Sequence, residues 1–86
     1  MQNYKIDILT YNTNGSVKSE CADIAFQNNG QVDVLINSGF VLPANGGVLS
    51  FTANNDELDR TIYTFSFVNS LGTYQNNLIV IRKVYI

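Results

Sequence analysis

The feature that most constrains this chain is a period-two alternation of apolar and polar residues, cut every few positions by Asn and Gly. Side chains along a strand point to opposite faces in turn, so this period reads as half-buried β-structure. Tyr4, Ile6 and Ile8 alternate with Lys5, Asp7 and Leu9, and the segment ends at Asn12-Thr13-Asn14-Gly15. After a polar connection, Ala22, Ile24 and Phe26 share a face. Asn28-Asn29-Gly30 then reads as a hairpin turn, since Asn and Gly tolerate the positive φ that tight turns need.

Val32, Val34 and Ile36 form the next face, and Phe40-Val41-Leu42 resumes after Asn37-Ser38-Gly39. Pro43-Ala44-Asn45-Gly46-Gly47 is a loop; Pro43 cannot donate to a ladder and belongs at a strand end or sheet edge. Leu49 and Phe51 share one side of the segment 48–53. Tyr63, Phe65 and Phe67 share one side of the segment 61–68. Asn69-Ser70-Leu71-Gly72 turns the chain into Thr73-Tyr74-Gln75, and a last strand runs over 78–86. Phe51, Phe65 and Phe67 are expected in the core.

A helix has one candidate, 17–25, where Val17, Cys21 and Ile24 fall at i, i+4 and i+7. It is short and runs into the β-like Phe26, so irregular structure leading into a strand is expected instead. The reading is a single all-β domain over residues 1–86. It would be a small antiparallel β-sandwich or barrel, jelly-roll or Ig-like, of about six to eight short strands.

Eighty-six residues leave no room for a second core, and a chain this size buries only about 60–65% of its unfolded surface. Cys21 is the one cysteine, so no internal disulfide can make up the deficit. The chain is therefore expected to fold in a reducing compartment or to gain stability from assembly. The N-terminal MQNYKIDILTYNTNGS lacks the basic and apolar regions of a signal peptide. The run Leu78-Ile79-Val80-Ile81 is far too short to span a bilayer, so no membrane span is expected.

Chemistry is poorly provided for. There is no His, which removes the commonest general base and the commonest transition-metal ligand. Cys21 lies among Glu20 and Asp23, which would raise rather than lower a thiol pKa. Asp33, Asp56, Glu57 and Asp59 are the carboxylates a glycosidase would have to draw on. Asn54, Asn55, Asp56, Glu57 and Asp59 could offer calcium its oxygen ligands, but the EF-hand spacing is not met. The expectation is a chain that is not an enzyme, with no catalytic residues, no metal and no cofactor. Five basic residues against seven acidic ones, a net charge of −2, argue against nucleic acid, because phosphate binders carry a basic stripe.

From Ala25 onward the text runs AFQNNGQVDVLINSGFVLPANGGVLSFTANNDELDRTIYTFSFVNSLGTYQNNLIVIRKVYI. Its order is an Asn-Asn-Gly hairpin, a Val/Ile strand, a Leu-Pro-Ala-Asn-Gly-Gly corner, a Ser-Phe strand, an acidic turn, an aromatic strand and a closing Leu-Ile-Val-Ile-Arg-Lys strand. Compact, turn-rich and Asn-heavy, it resembles the small β-sandwich structural proteins of bacteriophage virions. That resemblance implies a vertex, spike-base or decoration subunit, assembled in the host cytoplasm, that pairs with copies of itself and with other virion proteins. The alternative is a carbohydrate- or peptide-binding module using Tyr11, Tyr74 and the Asn-rich turns.

The last strand supplies the candidate interface. Leu78, Val80, Val84 and Ile86 fall on one face, and Ile79, Ile81 and Tyr85 on the other. A two-layer sandwich buries one face of each strand and leaves the second to water. Ile79, Ile81 and Tyr85 are therefore expected to meet another chain.

Overall fold

The computed structural model describes residues 3–52, 58–68 and 76–86, and they form two four-stranded antiparallel sheets packed face to face. The strands are β1 (Tyr4–Tyr11), β2 (Gly15–Lys18), β3 (Asp23–Asn28), β4 (Val34–Ile36), β5 (Phe40–Leu42), β6 (Gly47–Thr52), β7 (Ile62–Phe67) and β8 (Leu78–Tyr85). The sheet orders are β1-β8-β3-β6 and β2-β7-β4-β5. Strand β1 pairs with β8, β2 with β7, β3 with β6 and β4 with β5, as if one long hairpin had been rolled around the core. Two further pairings, β3 with β8 and β4 with β7, close each sheet. This is the eight-stranded jelly roll.

The core lies where alternation puts it. Ile24, Phe26, Leu78 and Val80 point inward from the first sheet, and Val34, Ile36, Phe65 and Phe67 from the second. Phe26 and Tyr63 meet edge to face with centroids 5.2 Å apart, an arrangement aromatic quadrupoles favour. Phe51 is only partly buried, packed against the rim of the cluster and stacked on Tyr63 at 5.4 Å.

Two local expectations are corrected. Asn28-Asn29-Gly30 does not close a hairpin, because β3 and β4 belong to different sheets. The Asn28 amide is fully buried and ties the crossover. Its Nδ2 donates to the carbonyls of Val32 (2.8 Å) and Leu42 (3.0 Å), and its Oδ1 accepts from the Gly30 N–H (3.0 Å). The polar connection after Gly15 also contains a strand, β2, whose Val17 is buried opposite Tyr63. Four residues with a single apolar side chain are too few to register as alternation.

Among the described residues, the one two-strand turn wholly within a sheet is Asn37-Ser38-Gly39 between β4 and β5. Asn37 and Ser38 have φ of 51° and 58°, and the Gly39 N–H donates to the Ile36 carbonyl at 3.1 Å, the positive-φ geometry suited to strand twist. Pro43 follows the edge strand β5, and the loop after it crosses to the first sheet. Gly47 is obligatory there, since a Cβ would sit 2.4 Å from the Pro43 carbonyl oxygen. Residues 53–57 and 69–75, which include Asp56, Glu57, Tyr74 and the turns at 54–57 and 69–72, lie outside the described residues.

Candidate interaction face

The outward face of the sheet β1-β8-β3-β6 is built from the residues opposite the core positions. On the central strand β8, Leu78 and Val80 point inward and are fully buried, which sends Ile79, Ile81, Lys83 and Tyr85 outward. Register then sets their neighbours. Ile81 lies between Ile8 of β1 and Ala25 of β3, and Tyr85 lies beside Tyr4. Lys83 lies between Ile6 and Asp23, with its Nζ 4.2 Å from the Tyr4 ring centroid, a cation–π contact.

Ile6 and Ile8 are 55% and 63% exposed, an unusual state for two isoleucines on an alternating strand. Their outward position follows from what occupies the other side of β1. Leu9 and Tyr11 pack on the core, with the Tyr11 ring 4.7 Å from that of Phe65. Asp7 makes an ion pair with Arg82 on the same inward side. Tyr4, Ile6, Ile8, Ile79 and Ile81 thus form a continuous apolar stripe across two strands. Val48 adds an exposed apolar side chain at the far edge. A shallow cavity of about 210 Å³ opens on this face between Ile6, Ala25, Thr52, Ile81 and Lys83.

The other outward face differs. Along β2 and β7 it presents Ser16, Lys18, Thr64 and Ser66, with Leu35 and Val41 paired across β4 and β5 and Ile62 beside Lys18. The sandwich is therefore two-sided, with one mixed polar face and one centred on isoleucine and tyrosine.

The three residues singled out from the last strand, Ile79, Ile81 and Tyr85, all lie on the apolar face and are partly buried by their neighbours. Sequence reasoning missed Tyr4, Ile6 and Ile8, which complete the stripe. Their alternation was visible, but either side of β1 offered apolar residues, and only the ion pair and the Tyr11 contact decide between them.

No family model, no curated protein and no solved structure matches this chain.

The remaining candidate residues are occupied in other ways. Asp59 is a structural knot: its Oδ1 accepts from the Ser19 hydroxyl (3.0 Å) and the Thr61 N–H (2.8 Å), and its Oδ2 from the Tyr63 hydroxyl (2.8 Å). Burial raises its pKa, but the bonds from Thr61, Tyr63 and Ser19 outweigh that and hold the carboxyl below its ordinary value. Asp33 accepts from the Ala44 N–H at 2.9 Å and its backbone pairs with Val68. Asp59 precedes β7 and Val68 follows it, so the two carboxylates stand at opposite ends of that strand, roughly 25–30 Å apart at ~3.3 Å per residue. A glycosidase pair needs about 5–10 Å.

Cys21 is fully buried, and burial together with Asp59 pushes its pKa up to about 11. The thiol stays protonated near neutral pH. Among the described residues, no group of three or more His, Cys, Asp or Glu is placed to hold a metal ion. No helix among them is long and apolar enough to cross a membrane. The ring of Tyr11, a candidate sugar platform, lies against Phe65.

Proposed function

We propose that this chain is a non-enzymatic structural subunit of a virus particle, a vertex, spike-base or decoration protein that works by self-association and by contact with other shell proteins. The observation that carries the reading is the apolar outer face of the sheet β1-β8-β3-β6, with Ile6 and Ile8 more than half exposed beside Ile79 and Ile81. Burying an isoleucine is worth about 1.5–3 kcal/mol. A chain that displays several while an ion-paired carboxylate takes the inward side of the same strand has that surface available for a partner. Contiguous exposed apolar residues on a small domain mark contact surfaces. The jelly roll recurs in capsid proteins and also in lectins, and the reading rests on the outer face rather than on the fold.

The test is the double substitution Ile79→Lys with Ile81→Lys, which puts two charges at the centre of the face without touching the core. Sedimentation analysis of the parent is expected to give a defined oligomer, and of the variant a smaller species with an unchanged β-type circular dichroism spectrum. A variant that keeps the parent's mass sinks the interface. A monomeric parent that binds a glycan would identify a carbohydrate-binding module instead.

A further inference from the structure

We infer that two copies of this chain join edge to edge along β1, in one particular antiparallel register centred on Ile6. This pairing deepens the self-association reading above and rests on it. Strand β1 is an edge of its sheet; among the described residues only β8 pairs with it. It is the longest of the four edges, eight residues against four in β2, three in β5 and six in β6. It contains no proline. A long flat edge with unpaired backbone groups is a template for another strand, and proteins that must avoid this shorten or break it.

Backbone hydrogen bonds settle which groups face the open side. The Ile86 N–H donates to the Asn3 carbonyl at 3.1 Å, and on the other side of β8 the Asn29 N–H donates to the Asn77 carbonyl at 2.9 Å. Antiparallel ladders alternate strictly. Even-numbered residues of β8 therefore bond toward β1, and odd-numbered residues of β1 bond toward β8. The N–H and C=O groups of Tyr4, Ile6 and Ile8 are left pointing off the edge, ready to bond a second copy.

A two-fold axis perpendicular to the sheet can set even residues opposite even residues in several registers, and charge selects among them. With Ile6 opposite Ile6 of the second copy, Tyr4 meets Ile8 and Lys5 meets Asp7, each contact occurring twice. Shifting by one step one way sets Asp7 against Asp7 of the second copy, and the other way sets Lys5 against Lys5. A second step past the Asp7 pairing sets Lys5 against Tyr11 and Asp7 against Leu9, and a second step past the Lys5 pairing sets Lys5 against Asn3, with no ion pair in either. Only the Ile6-centred register matches both charges, and opposite charges directly across an antiparallel pair stabilise it while like charges oppose it. Lys5 is exposed, and the ion pair with Arg82 engages Asp7 through Oδ2.

The consequence is one continuous eight-stranded sheet whose two apolar stripes become neighbours. One outer face covers roughly 450 Å² from strand spacing and rise. Two joined faces exceed the ~800 Å² that a partner of a stable complex usually contributes. The β1 pairing thus creates a surface large enough to seat a shell protein.

Site-specific cross-linking tests the register. Ile6→Cys places two thiols in a hydrogen-bonded pair with Cα atoms about 5.5 Å apart, within disulfide range. Ile8→Cys places them four residues out of step, about 13 Å apart. Mild oxidation is expected to link the first variant into a dimer and leave the second unlinked. Ile6→Pro removes the donor used twice at the two-fold but no bond to β8, so the chain should fold and sediment as a smaller species than the parent. Lys5→Asp should weaken dimerisation about ten-fold or more. If the parent is oligomeric but cross-links as well at position 8 as at 6, or is indifferent to Ile6→Pro, the edge pairing is wrong and the self-association reading stands. If the parent stays monomeric at every concentration, both fail.

Discussion

Asp7 and Arg82 face each other across β1 and β8 and form an ion pair on the inward side of the sheet. The Arg82 guanidinium also donates to the carbonyls of Lys18 (2.9 Å) and Ser19 (3.2 Å), so it ties the first sheet to the end of β2 in the second. Because alternation has a period of two, holding Asp7 inside holds Ile6 and Ile8 outside. The ion pair, together with Leu9 and Tyr11 packed on the core, therefore decides which side of β1 becomes the apolar outer face.

Removing the carboxylate should be felt. Asp7→Ala leaves the half-buried guanidinium with only carbonyl partners and is expected to cost about 1–2 kcal/mol. Urea denaturation measures it, and a cycle with Arg82→Met isolates the pair. Full tolerance of Asp7→Ala would mean that Tyr11 and Leu9 alone orient the strand.

The three phenylalanines should separate by depth. Phe65 and Phe67 are 2% and 6% exposed, and truncation of either to Ala should cost about 3–5 kcal/mol. Phe51 sits at the rim between Phe40 and Tyr63, so its truncation should cost less, about 1–3 kcal/mol. Equal losses at all three positions would show that the rim is as tightly packed as the centre.

Asn28 is expected to be less replaceable than its polarity suggests. Asn28→Leu would strand the buried carbonyls of Val32 and Leu42 together with the Gly30 N–H, at about 2–4 kcal/mol. Asn28→Asp should be worse, since a carboxylate would face the same two carbonyl oxygens. Thermal unfolding of the two variants checks the order.

Alkali should unfold the chain earlier than its net charge suggests. Burial pushes the Cys21 thiol up to about 11 from 9.0, and burial with the Asp59 hydrogen bond pushes the Tyr63 hydroxyl up to about 12 from 10.0. Both hold their protons more tightly folded than unfolded, so their contribution is complete below pH 9 and is lost as pH rises from there toward 12. Asp59 acts in the opposite sense: its lowered pKa stabilises the fold above the ordinary carboxylate value of 3.8, and that contribution is lost as pH falls below it. Cys21→Ala should flatten the lower part of the alkaline decline in melting temperature, and Tyr63→Phe the upper part.

Much of the fold was legible because strands announce themselves locally. Alternation in β1, β3, β6, β7 and β8 reports side-chain direction residue by residue, and Asn37-Ser38-Gly39 carries the chemistry of its own turn. The absence of a helix among the described residues followed from the same period. Ile79, Ile81 and Tyr85 were assigned to one face by counting alone, and the structure places them together there.

What counting could not supply was partnership between distant residues. Asn28-Asn29-Gly30 has the composition of a hairpin, yet it crosses between sheets because a buried amide bonds to Val32 and Leu42, the latter fourteen residues away. Asp59 looked like part of an acidic turn and is instead bound to Ser19, forty residues earlier. The side of β1 that meets water was settled by Arg82, seventy-five residues on, and by the contact of Tyr11 with Phe65. Local pattern determined that this chain forms short antiparallel strands with one buried face each. Which face of β1 is buried, and hence where the apolar surface lies, was decided by long-range electrostatics and packing, because only the folded chain brings Asp7 to Arg82 and Tyr11 to Phe65.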